Sequence, residues 1–173
     1  MGTRGLFGFK YKGNYYLIYN HFDSYPSGLG ANLIGEIKFM IDNNLFNIWI
    51  RLLENIQIVD KSIAPTDEDI LKLSVYADLN VSECSEKDWY CLLRKCQGSF
   101  KRVLESGYLL DSGFDDKVLL HGDIFIEYTY ILNFDDNTFE VGPGKTQIYT
   151  FDKLPKWRDN NIGMPEGAEK CFL

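Results

Sequence analysis

Three side chains that could bind an anion or move a proton lie at the open end of a predicted β-hairpin. Arg4 precedes the first strand of this hairpin, and His21 and Asp23 follow the second. A guanidinium can hold a carbonyl, carboxylate or phosphate oxygen, and an imidazole or a carboxylate can accept a proton. Arg4, His21 and Asp23 are therefore the candidate catalytic residues. The competing structural interpretation is an Arg–Asp pair that ties the start of the chain to the following loop.

The hairpin that positions these side chains is predicted over residues 5–20, from two short runs rich in aromatic and branched residues. A two-residue turn at Lys12-Gly13 or at Gly13-Asn14 moves the pairing by an even number of residues. Both alternatives therefore leave the three candidates on one face and differ in which residue lies opposite Arg4. A three-residue turn would break this arrangement.

A second candidate site follows the hairpin, where Pro26-Ser27-Gly28-Leu29-Gly30 opens a predicted helix. Backbone amides at the start of a helix can bind phosphate or carboxylate, so Ser27, Gly28 and Gly30 are candidate ligand-binding residues. The run lacks the full glycine spacing of a dinucleotide fingerprint and the lysine of a P-loop. The pattern therefore favours a tight loop-to-helix turn over a ligand site.

The cysteines and histidines do not have the spacing of a metal site. Cys91 and Cys96 lie five positions apart, about 140° around a helix, and His21 and His121 are the only histidines. We expect no metal and no cofactor. The opening residues do not look like a signal peptide, so we expect the four cysteines to be reduced and mostly buried.

The pattern of elements predicts an α+β fold, with an antiparallel sheet made by N-terminal and C-terminal β-hairpins and packed against a central helical segment. The length fits one domain. Its predicted parts are the N-terminal hairpin 5–20, the helical segment 29–106, the C-terminal strands 123–151 and a loose tail 156–173.

Within these parts the apolar spacing and the capping residues predict individual elements. They are a helix over 29–43, a helix over 45–59 that is apolar on nearly all sides and so buried, a capped helix over 67–77, an amphipathic helix from 85 to 107 that could break at Gly98, and strands over 123–134, 138–141 and 147–151.

Charge and hydropathy exclude several classes of protein. The net charge is −7 and no long segment is basic, so we expect no nucleic-acid partner. No apolar run is long enough to span a membrane, and we expect an intracellular protein without a membrane partner. A protein partner or a small anionic ligand fits this composition.

Two stretches resemble a known family. Met1-Gly-Thr-Arg-Gly5 and Tyr19-Asn-His-Phe-Asp-Ser-Tyr-Pro-Ser-Gly-Leu-Gly30 are similar to the opening of an uncharacterised family found in fungi and in large DNA viruses of amoebae. A weaker similarity covers residues 127–131, 139–141 and 154–155, whereas residues 44–120 do not match. The resemblance implies an origin that could be viral, but it brings no activity, cofactor or catalytic residue.

A fainter similarity is to the N-terminal-nucleophile hydrolases, which also begin with an aromatic hairpin followed by an Asn-x-x-Asp-like element, here Asn20 to Asp23. This chain has no Cys, Ser or Thr directly after Met1, where such an enzyme needs its nucleophile. The sequence thus favours a binding or interaction domain that acts through loop 20–30. The alternatives are a small hydrolase that uses Arg4, His21 and Asp23, and a structural protein of a virion.

Overall fold

The computed structural model describes residues 2–81 and 85–157 of the chain, and within these ranges the fold is α+β, as predicted. In chain order the elements are β1 (Gly5–Tyr11), β2 (Asn14–Asn20), α1 (Ala31–Asp42), α2 (Phe46–Glu54), β3 (Gln57–Ile58), α3 (Asp67–Leu73), α4 (Trp89–Leu92), α5 (Phe100–Ser106), β4 (Tyr108–Leu109), α6 (Val118–His121), β5 (Tyr128–Asn133), β6 (Thr138–Gly142) and β7 (Gln147–Thr150).

The main sheet has five strands in the order β2-β1-β5-β6-β7. Three of its pairings are antiparallel, but β1 and β5, where the two ends of the chain meet, run parallel. The helical segment acts as a long crossover that brings the chain back to the end of the sheet where β1 begins, and this allows parallel pairing. The predicted antiparallel sheet is therefore correct within each half and wrong at the central junction.

The first hairpin turns at Lys12-Gly13, the first of the two predicted alternatives. Gly5 lies opposite Asn20, and Lys12 and Gly13 have φ values of 50° and 76°. Two residues in this left-handed region suit the twist of a two-residue hairpin. The Asp135 carboxylate accepts hydrogen bonds from both turn amides, at 2.7 and 2.9 Å, and so joins the β1–β2 turn to the β5–β6 turn.

The sheet separates two hydrophobic clusters. The larger one lies between the sheet and the helices, and includes the aromatic side chains of β1, β5 and β6. The smaller one covers part of the opposite face and consists of Leu6, Leu17, Val118, Ile126 and Ile131. The residues that enter either cluster alternate along each strand, because successive side chains of a strand point to opposite faces.

The predicted helix over 45–59 is wrong in length and in burial. The observed α2 ends at Glu54, and of its residues only Trp49 and Leu53 are buried, whereas Ile48 is 41% exposed. The Asn55 side chain donates to the Arg51 carbonyl at 2.8 Å and helps to end the helix. The chain then leaves as the short strand β3, which pairs with β4.

Two further helices are shorter than predicted. The predicted capping box of Thr66 and Asp69 is present at the start of α3, but this helix ends at Leu73 rather than at residue 77. The helix predicted from 85 to 107 is divided at the expected place, because Gly98 has a φ of +84°. Helix α4 and a 3₁₀ turn over Arg94–Cys96 precede the break, and α5 follows it.

The C-terminal half differs from its prediction at both ends. Only Tyr128–Asn133 of the predicted strand 123–134 is in the sheet, and Ile124 is 85% exposed in the turn before it. Trp157 was assigned to the loose tail, yet it is 1% exposed and packs edge-on against Tyr130. The rest of that tail, 158–173, lies outside the described residues.

The cysteines that the structure describes have different states. Cys96 is a buried free thiol, and burial raises its pKa to about 11. Cys91 is disulfide-bonded, so the expectation of reduced thiols is wrong at this position. In the part of the chain covered by the structure, helices are too short or too polar to cross a membrane.

Candidate functional site

The loop between β2 and α1 is held in place by hydrogen bonds that converge on Ser24. The Asn20 side-chain amide donates to the Ser24 hydroxyl at 2.8 Å, and the Ser24 backbone amide donates to the Thr3 carbonyl at 3.1 Å. The Tyr130 hydroxyl donates to the Ser24 carbonyl at 2.7 Å. Ser24 itself is fully buried. The loop is thus fixed both to the start of the chain and to strand β5.

Two of the candidate ligand-binding glycines lie where no side chain fits. A Cβ at Gly28 would collide with the Asp23 carbonyl oxygen. A Cβ at Gly30 would lie 2.6 Å from the indole of Trp157 and 3.0 Å from the ring of Tyr130. Close packing therefore accounts for both glycines without a ligand.

The backbone amides at the start of the helix are already used inside the loop. Pro26–Gly30 forms a single π-helical turn that continues directly into α1. The Leu29 amide donates to the Asp23 carbonyl at 2.8 Å, and the Gly28 amide donates to the Tyr25 carbonyl at 3.0 Å. These two amides are therefore not free to hold the phosphate or carboxylate that the sequence suggested.

Arg4 lies directly before the first residue of β1, and its backbone continues the contacts of that strand. Its backbone carbonyl accepts from the Glu127 amide at 2.9 Å, which extends the pairing of β1 with β5. Its guanidinium carbon lies 5.2 Å from the centre of the Phe125 ring. The Nε atom is buried and has no hydrogen-bond partner.

His21 is a neighbour of Arg4 and has a defined partner. Its Nδ1 atom shares a hydrogen bond of 2.7 Å with the Tyr19 hydroxyl. Burial lowers the pKa of His21, and the positive charges of Arg94 and Arg4 lower it further. The imidazole is therefore neutral at pH 7, and one of its two nitrogens is already engaged.

Asp23 is separated from this pair. It is exposed, has a φ of 54°, and follows the last paired position of the hairpin, Asn20. The ion pairs within the described residues include neither Asp23 nor Arg4. The structure thus brings Arg4 and His21 together, while the Asp23 side chain lies in solvent.

A cavity of about 390 Å³ lies beside this loop, between the loop, the start of α1 and the 94–98 turn. Of the candidate residues, Asp23, Ser27 and Gly28 line it, whereas Arg4, His21 and Gly30 do not. The other lining residues are Asn20, Phe22, Tyr25, Leu29, Asn32, Arg94, Gln97 and Gly98.

Arg94 is the residue of this cavity that the sequence analysis missed. Its Nη1 atom donates to the Gln97 side chain at 3.3 Å, and its guanidinium carbon lies 5.8 Å from the centre of the Phe22 ring. Its Nε atom is buried without a hydrogen-bond partner, and no carboxylate of the described residues forms an ion pair with it. The Gly98 break was the signal that could have shown that this part of the chain forms a turn.

The charged side chains that line the cavity are Arg94 and Asp23, one positive and one negative. Arg94 lines it, and Arg4 lies close behind, since both charges act on His21. Asp23 is the opposing charge at the exposed rim. Among residues 2–81 and 85–157, His, Cys, Asp and Glu side chains do not form a group of three that could hold a metal ion.

Comparisons of the chain with protein-family models, with curated proteins and with solved structures find no match. The resemblance to the fungal and viral family stays a prediction.

Proposed function

We propose that this protein is a binding domain whose cavity beside Arg94 takes a small anionic ligand. One observation carries the proposal: the Arg94 guanidinium lines a 390 Å³ cavity without an ion-pair partner among the described residues, and its Nε atom is buried with an unused hydrogen. From the cavity wall the guanidinium can donate charge-assisted hydrogen bonds to an anion that enters, and no carboxylate of the described residues competes for them.

Arginine suits this role better than the backbone amides of the loop. Its planar guanidinium offers two parallel N–H groups to a carboxylate or phosphate, and such charge-assisted hydrogen bonds contribute about 1.5–3 kcal/mol. The Phe22 ring and the Gln97 carbonyl oxygen hold the Arg94 side chain in place. A side chain that is already oriented loses less entropy when a ligand binds.

The hydrolase alternative has weaker support. His21 would be the base, but its hydrogen-bond partner is the Tyr19 hydroxyl, and the hydrogen bonds of the His21 ring do not include Asp23, which is exposed. Among the described residues, the recorded hydrogen bond of the His21 ring is to Tyr19, not to the side chain of a Ser, Thr or Cys that could act as a nucleophile. Catalysis by Arg4, His21 and Asp23 stays a prediction.

The test is a calorimetric titration of the protein with inorganic phosphate and, separately, with acetate at low ionic strength. We expect binding of at least one of the two anions. In Arg94→Ala we expect the affinity to fall by about tenfold or more, the equivalent of ~1.4 kcal/mol, and in Arg94→Lys by less.

The matched control is Arg51→Ala, which removes an exposed arginine on α2, away from the cavity. Its affinity should equal that of the unchanged protein. Equal binding by Arg94→Ala and Arg51→Ala, or no binding of either anion by the unchanged protein, would refute the proposal.

A further inference from the structure

A second cavity adjoins the first and has a different lining. Its volume is about 180 Å³, and the three tyrosines Tyr19, Tyr90 and Tyr108 contribute to its walls. Its walls also include Lys61, Gln97, Leu110 and Asp111. We call this space the tyrosine chamber.

The tyrosine chamber and the Arg94 cavity share one lining residue, Gln97. The Gln97 side-chain oxygen accepts from the His21 backbone amide at 3.1 Å and from Arg94 Nη1 at 3.3 Å. These two bonds fix the side chain at the boundary between the two spaces. Arg94 and the tyrosine rings therefore lie on the two sides of one residue, Gln97.

The size of the chamber matches a single aromatic ring. An apolar cavity of about 150 Å³ in a protein interior is large enough to bind benzene. Aromatic side chains favour stacked or edge-on contacts with another ring, and such contacts stabilise a complex beyond the burial of apolar surface. The two charged residues of the chamber, Lys61 and Asp111, have opposite signs, so they do not select a net charge for the ring.

We propose that the ligand is an aryl acid, with its carboxylate or phosphate on Arg94 and its aromatic ring in the tyrosine chamber. This inference rests on the proposed function, because the acid group uses the same arginine. It adds the class of ligand: a molecule with both parts binds more tightly than either part alone, since the ring buries apolar surface that acetate or inorganic phosphate leaves in water.

The experiment compares matched probes by calorimetry. Phenylacetate is compared with acetate, phenyl phosphate with inorganic phosphate, and benzyl alcohol serves as a ring without an acid. We expect at least one aryl acid to bind about tenfold more tightly than its parent anion, which equals ~1.4 kcal/mol, and more tightly than benzyl alcohol.

Two variants locate the ring. Leu110→Trp fills the chamber from a half-buried wall position, and Tyr90→Ala removes one of its rings. Both should reduce the preference for the aryl acid over the parent anion. The control Leu71→Trp places the same indole on the exposed face of α3, where Leu71 is 76% exposed, and should keep the full preference. Circular dichroism establishes that each variant is folded before it is titrated.

The outcomes separate this inference from the proposed function. Equal affinity for an aryl acid and its parent anion overturns the inference and leaves the anion site standing. A preference that survives in both Leu110→Trp and Tyr90→Ala also overturns it, because the ring then lies elsewhere. Binding of benzyl alcohol as tight as that of the aryl acids overturns the link to Arg94. If no probe binds, the proposed function fails first.

Discussion

Loop 21–30 and the 94–98 turn form opposite walls of one cavity, yet they are built in opposite ways. The loop has an unusual composition, with a proline and two glycines within five residues. Its polar groups are largely hydrogen-bonded to one another or to the sheet, as at Ser24 and Asn20. The turn has an ordinary sequence, but it holds a guanidinium without a counter-charge among the described residues. The unusual sequence of loop 21–30 thus reflects close packing and internal hydrogen bonds. The residue that could bind a ligand, Arg94, lies in a turn whose sequence is ordinary.

The largest effect should come from the packing of the loop. Gly30→Ala places a Cβ 2.6 Å from the buried Trp157 indole, and neither this ring nor the buried Tyr130 ring has room to move. Overpacking of this kind costs about 1–3 kcal/mol. Urea denaturation should show a free energy of unfolding lower by that amount.

Gly35→Ala is the matched control for this prediction. Gly35 lies in α1, five residues after Gly30, and a Cβ there meets nothing within 4 Å. Replacing a glycine by alanine in a helix should raise stability by about 0.5–1 kcal/mol. Equal effects of the two substitutions would show that Trp157 does not pack on Gly30.

The loop and the turn also differ in how far the sequence predicts them. Local rules narrowed the first hairpin to two turns, of which Lys12-Gly13 is observed, and placed the Thr66 cap and the Gly98 break, because each depends on a few adjacent residues. Parallel pairing of β1 with β5 depends on the path of the whole helical segment, which no short pattern encodes. The burial of α2 was wrong for the same reason.

The candidate site was predicted only in part. The two-residue turn placed His21 beside Arg4, and the pKa of His21 responds to that neighbour. The position of Asp23 could not be derived from the hairpin register, because strand pairing stops at Asn20 and the chain takes up a positive φ at Asp23. Arg94 could not be identified from the sequence. Whether an arginine has a carboxylate partner depends on which residues the fold brings near it, and these are distant in the chain.

The next largest effect concerns the hydrogen bond that ties the loop to the sheet. Tyr130→Phe removes the hydroxyl that donates to the Ser24 carbonyl, and both residues are fully buried. A buried carbonyl without a partner costs about 1–3 kcal/mol, so the midpoint of urea unfolding should fall. As a control, Tyr15→Phe removes the hydroxyl of a half-buried residue of β2 whose partner is the Lys10 side chain rather than a buried carbonyl, and unfolding should hardly change. If the two variants unfold alike, the Ser24 contact does not hold the loop.

A smaller effect should appear at the rim of the cavity. Asp23→Asn removes the only acidic side chain that lines the described cavity, and its exposed position means that water and salt screen its charge. We expect anion affinity to rise by about two- to fivefold at low salt and by less at high salt. Asp42→Asn, at the far end of α1, should leave the affinity unchanged. Weaker binding in Asp23→Asn would show that the ligand presents a positive group to Asp23.

The smallest effect connects the loop and the turn through His21. The pKa of this imidazole is lowered from its usual 6.5 by burial and then by the charges of Arg94 and Arg4. Arg94→Ala should therefore raise the pKa of His21, which an NMR titration of the ring protons measures directly. Arg51→Ala should leave this pKa where it is, because Arg51 does not contribute to it.

The sign of the linked change in stability follows from the same shift. A depressed pKa means that the unfolded chain takes up the proton first, so stability falls as the pH drops below about 6.5 and through the lower folded pKa. Because Arg94→Ala narrows the gap between the folded and unfolded pKa values, acidification should cost this variant less stability. An unchanged His21 pKa in Arg94→Ala would show that the Arg94 guanidinium lies too far from loop 21–30 to act on it. The loop and the 94–98 turn would then not share the electrostatic environment that the proposed anion site requires.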